Sequence, residues 1–95
     1  MKNTITVAIK FSPAVTEKQL HPAVNRAIEI IKTWGLKYEV GASCTAVEGE
    51  LSDILDKVNK LCSEMKKHVE RFGLFLDIDY KKGGITIHDK IKKHR

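Results

Sequence analysis

The chain has 95 residues, 42% of them apolar and 31% charged, with a formal net charge of +5. That length points to one domain, residues 1–95, with a real but limited core that needs neither disulfides nor a structural metal. The composition excludes a disordered chain, no apolar run is long enough for a membrane span, and the N-terminus lacks the apolar core of a secretion signal, so a cytoplasmic protein without membrane contact is expected.

Ile5, Val7, Ile9 and Phe11 alternate with Thr4, Thr6, Ala8 and Lys10. Period two marks a half-buried strand, and Ser12-Pro13 ends it because proline cannot donate to a ladder. Leu20, Val24, Ala27, Ile28 and Ile31 then fall on one face of a helix. Thr16 with Gln19 reads as a capping box and Val15 with Leu20 as its staple, but that start leaves Pro22 inside the helix. A start at His21, with Pro22 in the first helical position, avoids the cost and is the preferred reading. Gly35 stops the helix.

Leu36, Tyr38 and Val40 give a second strand and residues 44–48 a third, joined as a hairpin or as a bent, bulged pair. Leu51, Ile54, Leu55, Val58, Leu61, Cys62, Met65, Val69 and Phe72 hold helical spacing, which predicts one long helix closed by Gly73. Leu74, Leu76, Ile78 and Tyr80 make the fourth strand. Beyond the Lys81-Lys82-Gly83-Gly84 turn, Thr86 can cap a short helix carrying Ile87 and Ile91, too short to stand without a docking surface. The order βαββαβ predicts an α+β, ferredoxin-like sandwich: a four-stranded antiparallel sheet, two helices on one face, and a short C-terminal helix.

The charge is unevenly placed. Residues 81–95 hold Lys81, Lys82, Lys90, Lys92, Lys93 and Arg95 against Asp89, whereas residues 1–80 balance at eleven basic against eleven acidic. A basic tail on a neutral body reads as a solvated end, and a nucleic-acid partner is not expected. Phosphate loops, dinucleotide fingerprints, zinc-protease motifs and nucleophile elbows are absent. His21, His68, His88 and His94 never pair at i,i+4, and Cys44 and Cys62 form no CxxC, so no metal site, cofactor or catalytic residue is assigned. Cys62 is expected in the core.

Ferredoxin-like folds serve many functions, so the fold alone decides little. An RNA-recognition sheet would show stacking aromatics where the third strand has Thr45, Ala46 and Val47. A metallochaperone would carry CxxC where this chain has Ser12-Pro13-Ala14. What stands out is a polar set, Glu39, Asp77 and Asp79 with Thr4, Thr6 and Lys10, which alternation puts on the face away from the helices, with Phe75 beside it. This is either a solvated face or one that packs on a second subunit and encloses a small ligand.

Three segments together resemble one family: Trp34-Gly35-Leu36-Lys37-Tyr38-Glu39-Val40-Gly41, Thr45-Ala46-Val47-Glu48-Gly49-Glu50, and Asp77-Ile78-Asp79-Tyr80-Lys81 with Gly83-Gly84 and a short basic end. In this order, over essentially the whole chain, they are similar to the small thiamine-binding (YkoF-like, UPF0045) proteins. The resemblance implies a ferredoxin-like fold, a homo-oligomer (dimer or tetramer) built through the sheet, and non-catalytic binding of thiamine or its hydroxymethylpyrimidine moiety. Larger members carry two such domains, so pairing in this chain would come from oligomerisation.

An aminopyrimidine offers an amine donor and ring-nitrogen acceptors, and is matched by a carboxylate or carbonyl, a hydroxyl or N–H, and an aromatic face. The motif positions Tyr38, Glu39, Ser43, Thr45 and Glu48 supply these groups and are the candidate ligand residues. Three of them have a structural reading too: Tyr38 as core packing, Ser43 as a turn residue, Glu48 as a charge favouring the dipole of the long helix. The rival functions are an oligomeric regulatory or structural module and weak, salt-sensitive nucleic-acid binding through the tail.

Overall fold

The central strand is β1, Ile5–Pro13, and every other part of the fold is arranged around its two edges. The structure, a computed structural model, describes residues 3–94; Arg95 of the basic tail lies outside them. After β1 come α1 (Glu17–Lys32), β2 (Lys37–Val40), β3 (Thr45–Gly49), α2 (Leu51–Met65), β4 (Phe72–Asp79) and α3 (Ile87–Ile91), the last running into a 3₁₀ turn over Lys92–His94. The sheet order is β2-β3-β1-β4, antiparallel throughout, which is the ferredoxin-like α+β arrangement.

The inner face carries the core. Ile5, Val7 and Ile9 of β1 and Val47 of β3 pack against Ala27 and Ile31 of α1 and Ile54, Val58, Leu61 and Met65 of α2. These positions repeat every second residue in the strands and every third or fourth in the helices, so one layer of side chains fills the space between sheet and helices. Cys62 is half-buried at the margin of this core and Cys44 is exposed in the β2–β3 turn.

Two helix boundaries depart from the sequence reading. α1 begins at Glu17, not His21, with Thr16 as its N-cap. Gln19 Oε1 accepts from the Thr16 N–H at 3.3 Å, and Val15 packs against the core, so the capping box and the burial of Val15 carry the start upstream. Pro22 therefore stands inside α1. Its ring crowds the carbonyl of Lys18, which lies in the first turn, where a carbonyl can tilt outward more cheaply than in mid-helix.

The second departure is at α2, which ends at Met65 and not near Phe72. The chain tightens there: Lys67 and His68 donate to carbonyls three residues back, Glu64 and Met65. Val69 nevertheless reaches the core at 6% exposure, so its helical spacing is real in position though not in conformation. Phe72 and Gly73 start β4 opposite Pro13 and Ser12, and the Phe72 ring meets Phe11 with centroids 5.0 Å apart. Extending the ladder along β1 satisfies both strands' backbone groups, and this outcompetes another helical turn.

α3 packs on the opposite face from α1 and α2. The connecting turn makes this possible: Ile85 N–H donates to the Thr4 carbonyl at 2.8 Å, folding the chain back over the start of β1. Gly84, at φ 99°, comes so close to that carbonyl that a Cβ would sit 3.2 Å from it.

Candidate functional site

Strand pairing arranges the outer face in rows, because residues directly opposite one another project to the same side. One row runs Lys37, Glu48, Thr6, Asp79 across the four strands; the next runs Glu39, Ala46, Ala8, Asp77; beyond it Lys10 stands opposite Phe75. Four carboxylates thus flank a floor that at its centre has only the methyl groups of Ala8 and Ala46.

α3 covers the first row. The Ile87 N–H donates to Glu48 Oε1 at 2.9 Å, Lys90 Nζ lies 2.8 Å from Asp79 Oδ2, and the same ammonium donates to Thr6 Oγ1 at 3.3 Å. Thr6, on a polar face, is consequently only 2% exposed. The helix itself is fixed by a reciprocal cap: Asp89 N–H donates to Thr86 Oγ1 at 3.0 Å, and Thr86 N–H donates to Asp89 Oδ2 at 3.1 Å. That backbone bond, reinforced by the Thr86 side chain, holds the Asp89 carboxyl below its ordinary range.

The second row is left open. Its ends, Glu39 and Asp77, are separated by three strand spacings, about 14 Å between backbones. Ala8, Ala46 and Glu39 are half-buried and Asp77 is exposed. On the far side the Phe75 ring lies across Gly73, where a Cβ would meet it at 2.8 Å, and remains 60% exposed. The result is an open strip of sheet with carboxylates at both ends and α3 along one side, while the Phe75 ring leans away from it over Gly73. Once covered, such a strip would suit a flat, cationic or amine-bearing molecule.

The five sequence candidates divide between the faces. Glu39 and Glu48 lie on the outer face, in adjacent rows. Thr45 pairs with Ile9 and Val40, points to the core side and is 3% exposed. Tyr38 pairs with Val47 on that same side but stays exposed because β2 is an edge strand. Ser43 is exposed in the turn where the Gly41 N–H donates to the Cys44 carbonyl at 2.8 Å. Glu48 meets a helix N-terminus, as its charge suggested, but that of α3 and not α2. In the sequence Lys90 is one more charge of the basic tail; its ion pair with Asp79 gives it a place on this face. The signal within reach was the Thr86–Asp89 cap, which marks a helix that must dock. Among the described residues no group of three or more His, Cys, Asp or Glu is placed to hold a metal ion.

Fold and face define a ferredoxin-like α+β protein with an acidic, partly roofed sheet surface. The family model for the thiamine-binding proteins matches residues 7–95, and the chain belongs to that family. A UPF0045 protein of Clostridium perfringens is 36% identical over 96 residues, covering 98% of this chain and 99% of the relative. Among solved structures, a Thermotoga maritima protein provisionally assigned to thiamine biosynthesis or salvage is 52% identical, with a TM-score of 0.95 over 97% of this chain and 99% of its own. A Bacillus cereus domain of unknown function is 32% identical, with a TM-score of 0.89 over 100% of this chain and 93% of its own. Among the described residues no helix is long and apolar enough to cross a membrane.

Proposed function

We propose that the protein binds thiamine or its hydroxymethylpyrimidine moiety without transforming it, on the outer face of the sheet, as a cytoplasmic homo-oligomer. The observation that carries this reading is the row Glu39–Ala46–Ala8–Asp77: a small-residue floor between two carboxylates in a chain of the thiamine-binding family. Glu39 receives the exocyclic amine of the pyrimidine. Glu48 keeps a second carboxylate oxygen besides the one bonded to α3. Tyr38, Ser43 and Thr45 act through the β2–β3 hairpin that sets the position of Glu39. A dimer or tetramer formed through the sheet covers this row and removes the ligand from water.

Titration calorimetry and thermal unfolding with thiamine and with hydroxymethylpyrimidine test the reading. Either ligand at a hundredfold excess over its dissociation constant is expected to stabilise the fold by about 2.7 kcal/mol. Glu39→Gln keeps the size and removes the charge, and is expected to weaken binding by roughly 1–3 kcal/mol. Neither heat nor thermal shift with either compound at millimolar concentration would refute the ligand; unchanged affinity in Glu39→Gln, with binding present, would refute only the site.

A further inference from the structure

On the helical side of the molecule a second cleft, of about 660 Å³, opens between α1 and the turn that joins α2 to β4. Lys18, Pro22 and Arg26 follow at four-residue intervals, so they stack along one stripe of α1, and His68 and Glu70 of the turn form the facing wall. The two walls are tied together: Ala14, just ahead of α1, donates its N–H to the Arg71 carbonyl at 2.8 Å. Val69, 6% exposed, closes the base.

Basic side chains on a solvated helix ordinarily point into water, but three features set this stripe apart. Neither Lys18 nor Arg26 makes an ion pair or side-chain hydrogen bond with a described residue. Pro22 between them has no N–H, so the Lys18 carbonyl beside the cleft lacks its normal helical partner. The first turn of α1 lines the cleft, adding the positive end of its dipole. The Cα atoms of Lys18 and Arg26 are about 12 Å apart along the helix axis, so both long side chains can converge on a group lying over the short ring of Pro22. A group with several oxygens accepts from a guanidinium fork and an ammonium at once.

We propose that this cleft binds the phosphate group of a small organic phosphate, with Arg26 and Lys18 as its principal donors, the Lys18 carbonyl receiving a hydroxyl of the same ligand, and Glu70 opposing the anion. His68, whose Nε2 lies 3.6 Å from Glu64 Oε1, also lines the facing wall. The site is independent of the outer face of the sheet.

Calorimetry on the full chain at constant ionic strength, with inorganic phosphate, ribose 5-phosphate and ribose as probes, tests the proposal. Ribose 5-phosphate is expected to bind saturably and more tightly than inorganic phosphate, and ribose not at all. Arg26→Gln and Lys18→Gln should each weaken ribose 5-phosphate about tenfold, the loss of one charge-assisted hydrogen bond. Glu70→Gln should tighten it, while Lys92→Gln and Lys93→Gln in the tail, and Glu39→Gln on the sheet, should leave it unchanged. No saturable binding of ribose 5-phosphate at tens of millimolar overturns the proposal. So does binding that the tail variants weaken and the α1 variants do not, and so does weaker binding in Glu70→Gln.

Discussion

Glu48 answers to two elements at once. It belongs to the acidic rows of the sheet, yet one of its oxygens accepts from the first amide of α3 at 2.9 Å. The Ile87 side of that bond is 8% exposed, so deleting the acceptor leaves a donor with little access to water. Glu48→Ala is therefore expected to cost about 1–3 kcal/mol in urea unfolding, and Glu48→Gln, which keeps an acceptor, distinctly less. A loss in Glu48→Ala no larger than that of an exposed glutamate such as Glu29 would show that the bond holds nothing. The outward aspect of Glu39 and the inward aspect of Thr45 are legible in the sequence, because strand alternation fixes both. The bond from Glu48 to Ile87 is not, since it joins groups 39 residues apart and no local pattern encodes such a distance. The same is true of Lys90 and Asp79, whose charges could have found any partner until the turn at Gly84 laid the tail across the sheet.

At the scale of elements, α1 holds an internal conflict between its cap and its proline. The helix accepts Pro22 because starting at Glu17 brings Val15 and the capping box into place, but the missing bond to Lys18 remains a cost. Pro22→Ala restores an N–H to that carbonyl. A net gain of up to about 3 kcal/mol is expected, the preference for alanine over proline in a helix interior, which already includes the freer unfolded chain. An unchanged or lower urea midpoint would mean that α1 bends at Pro22 to fit something else. Strands and the core stripe of α2 were legible because period two and period 3.6 are local. The ends of α1 and α2 were not, because each was decided by a distant partner: the core beneath Val15, and the length of β1 that draws Phe72 and Gly73 into its ladder. Val69 shows the limit of periodicity, since it keeps a helical spacing to Met65 and is buried without being helical.

Taken whole, the molecule is a slab of 42 × 29 × 19 Å whose apolar exposure is concentrated near β4. Phe75, Ile78 and Tyr80 are 60%, 48% and 66% exposed, and Leu51 and Leu55 of α2 add to the cleft beside Ile78 and Tyr80. Because β4 is an edge strand, its outer backbone groups are also without a neighbour in the sheet. The homo-oligomer proposed above is expected to appear in light scattering at micromolar concentration as a species at least twice the 10.7 kDa chain, and Ile78→Asp to shift it toward the monomer if the β4 margin takes part. A wild-type chain that scatters only as a monomer would remove the oligomer from the proposed function. The strand order also sets a timetable for synthesis. Val7 of β1 meets Val47 on one side and Ile78 on the other, so β1, synthesised before both of its neighbours, is the last of the four strands to gain its full pairing. At about 5–20 residues per second, roughly 2–6 s pass between the emergence of these two partners. During that interval the middle of the future sheet is an edge, carrying Ile9 and Phe11 toward whatever is nearby. A transcript truncated before Phe72 would make that interval permanent and yield a strand-exposing fragment prone to aggregation.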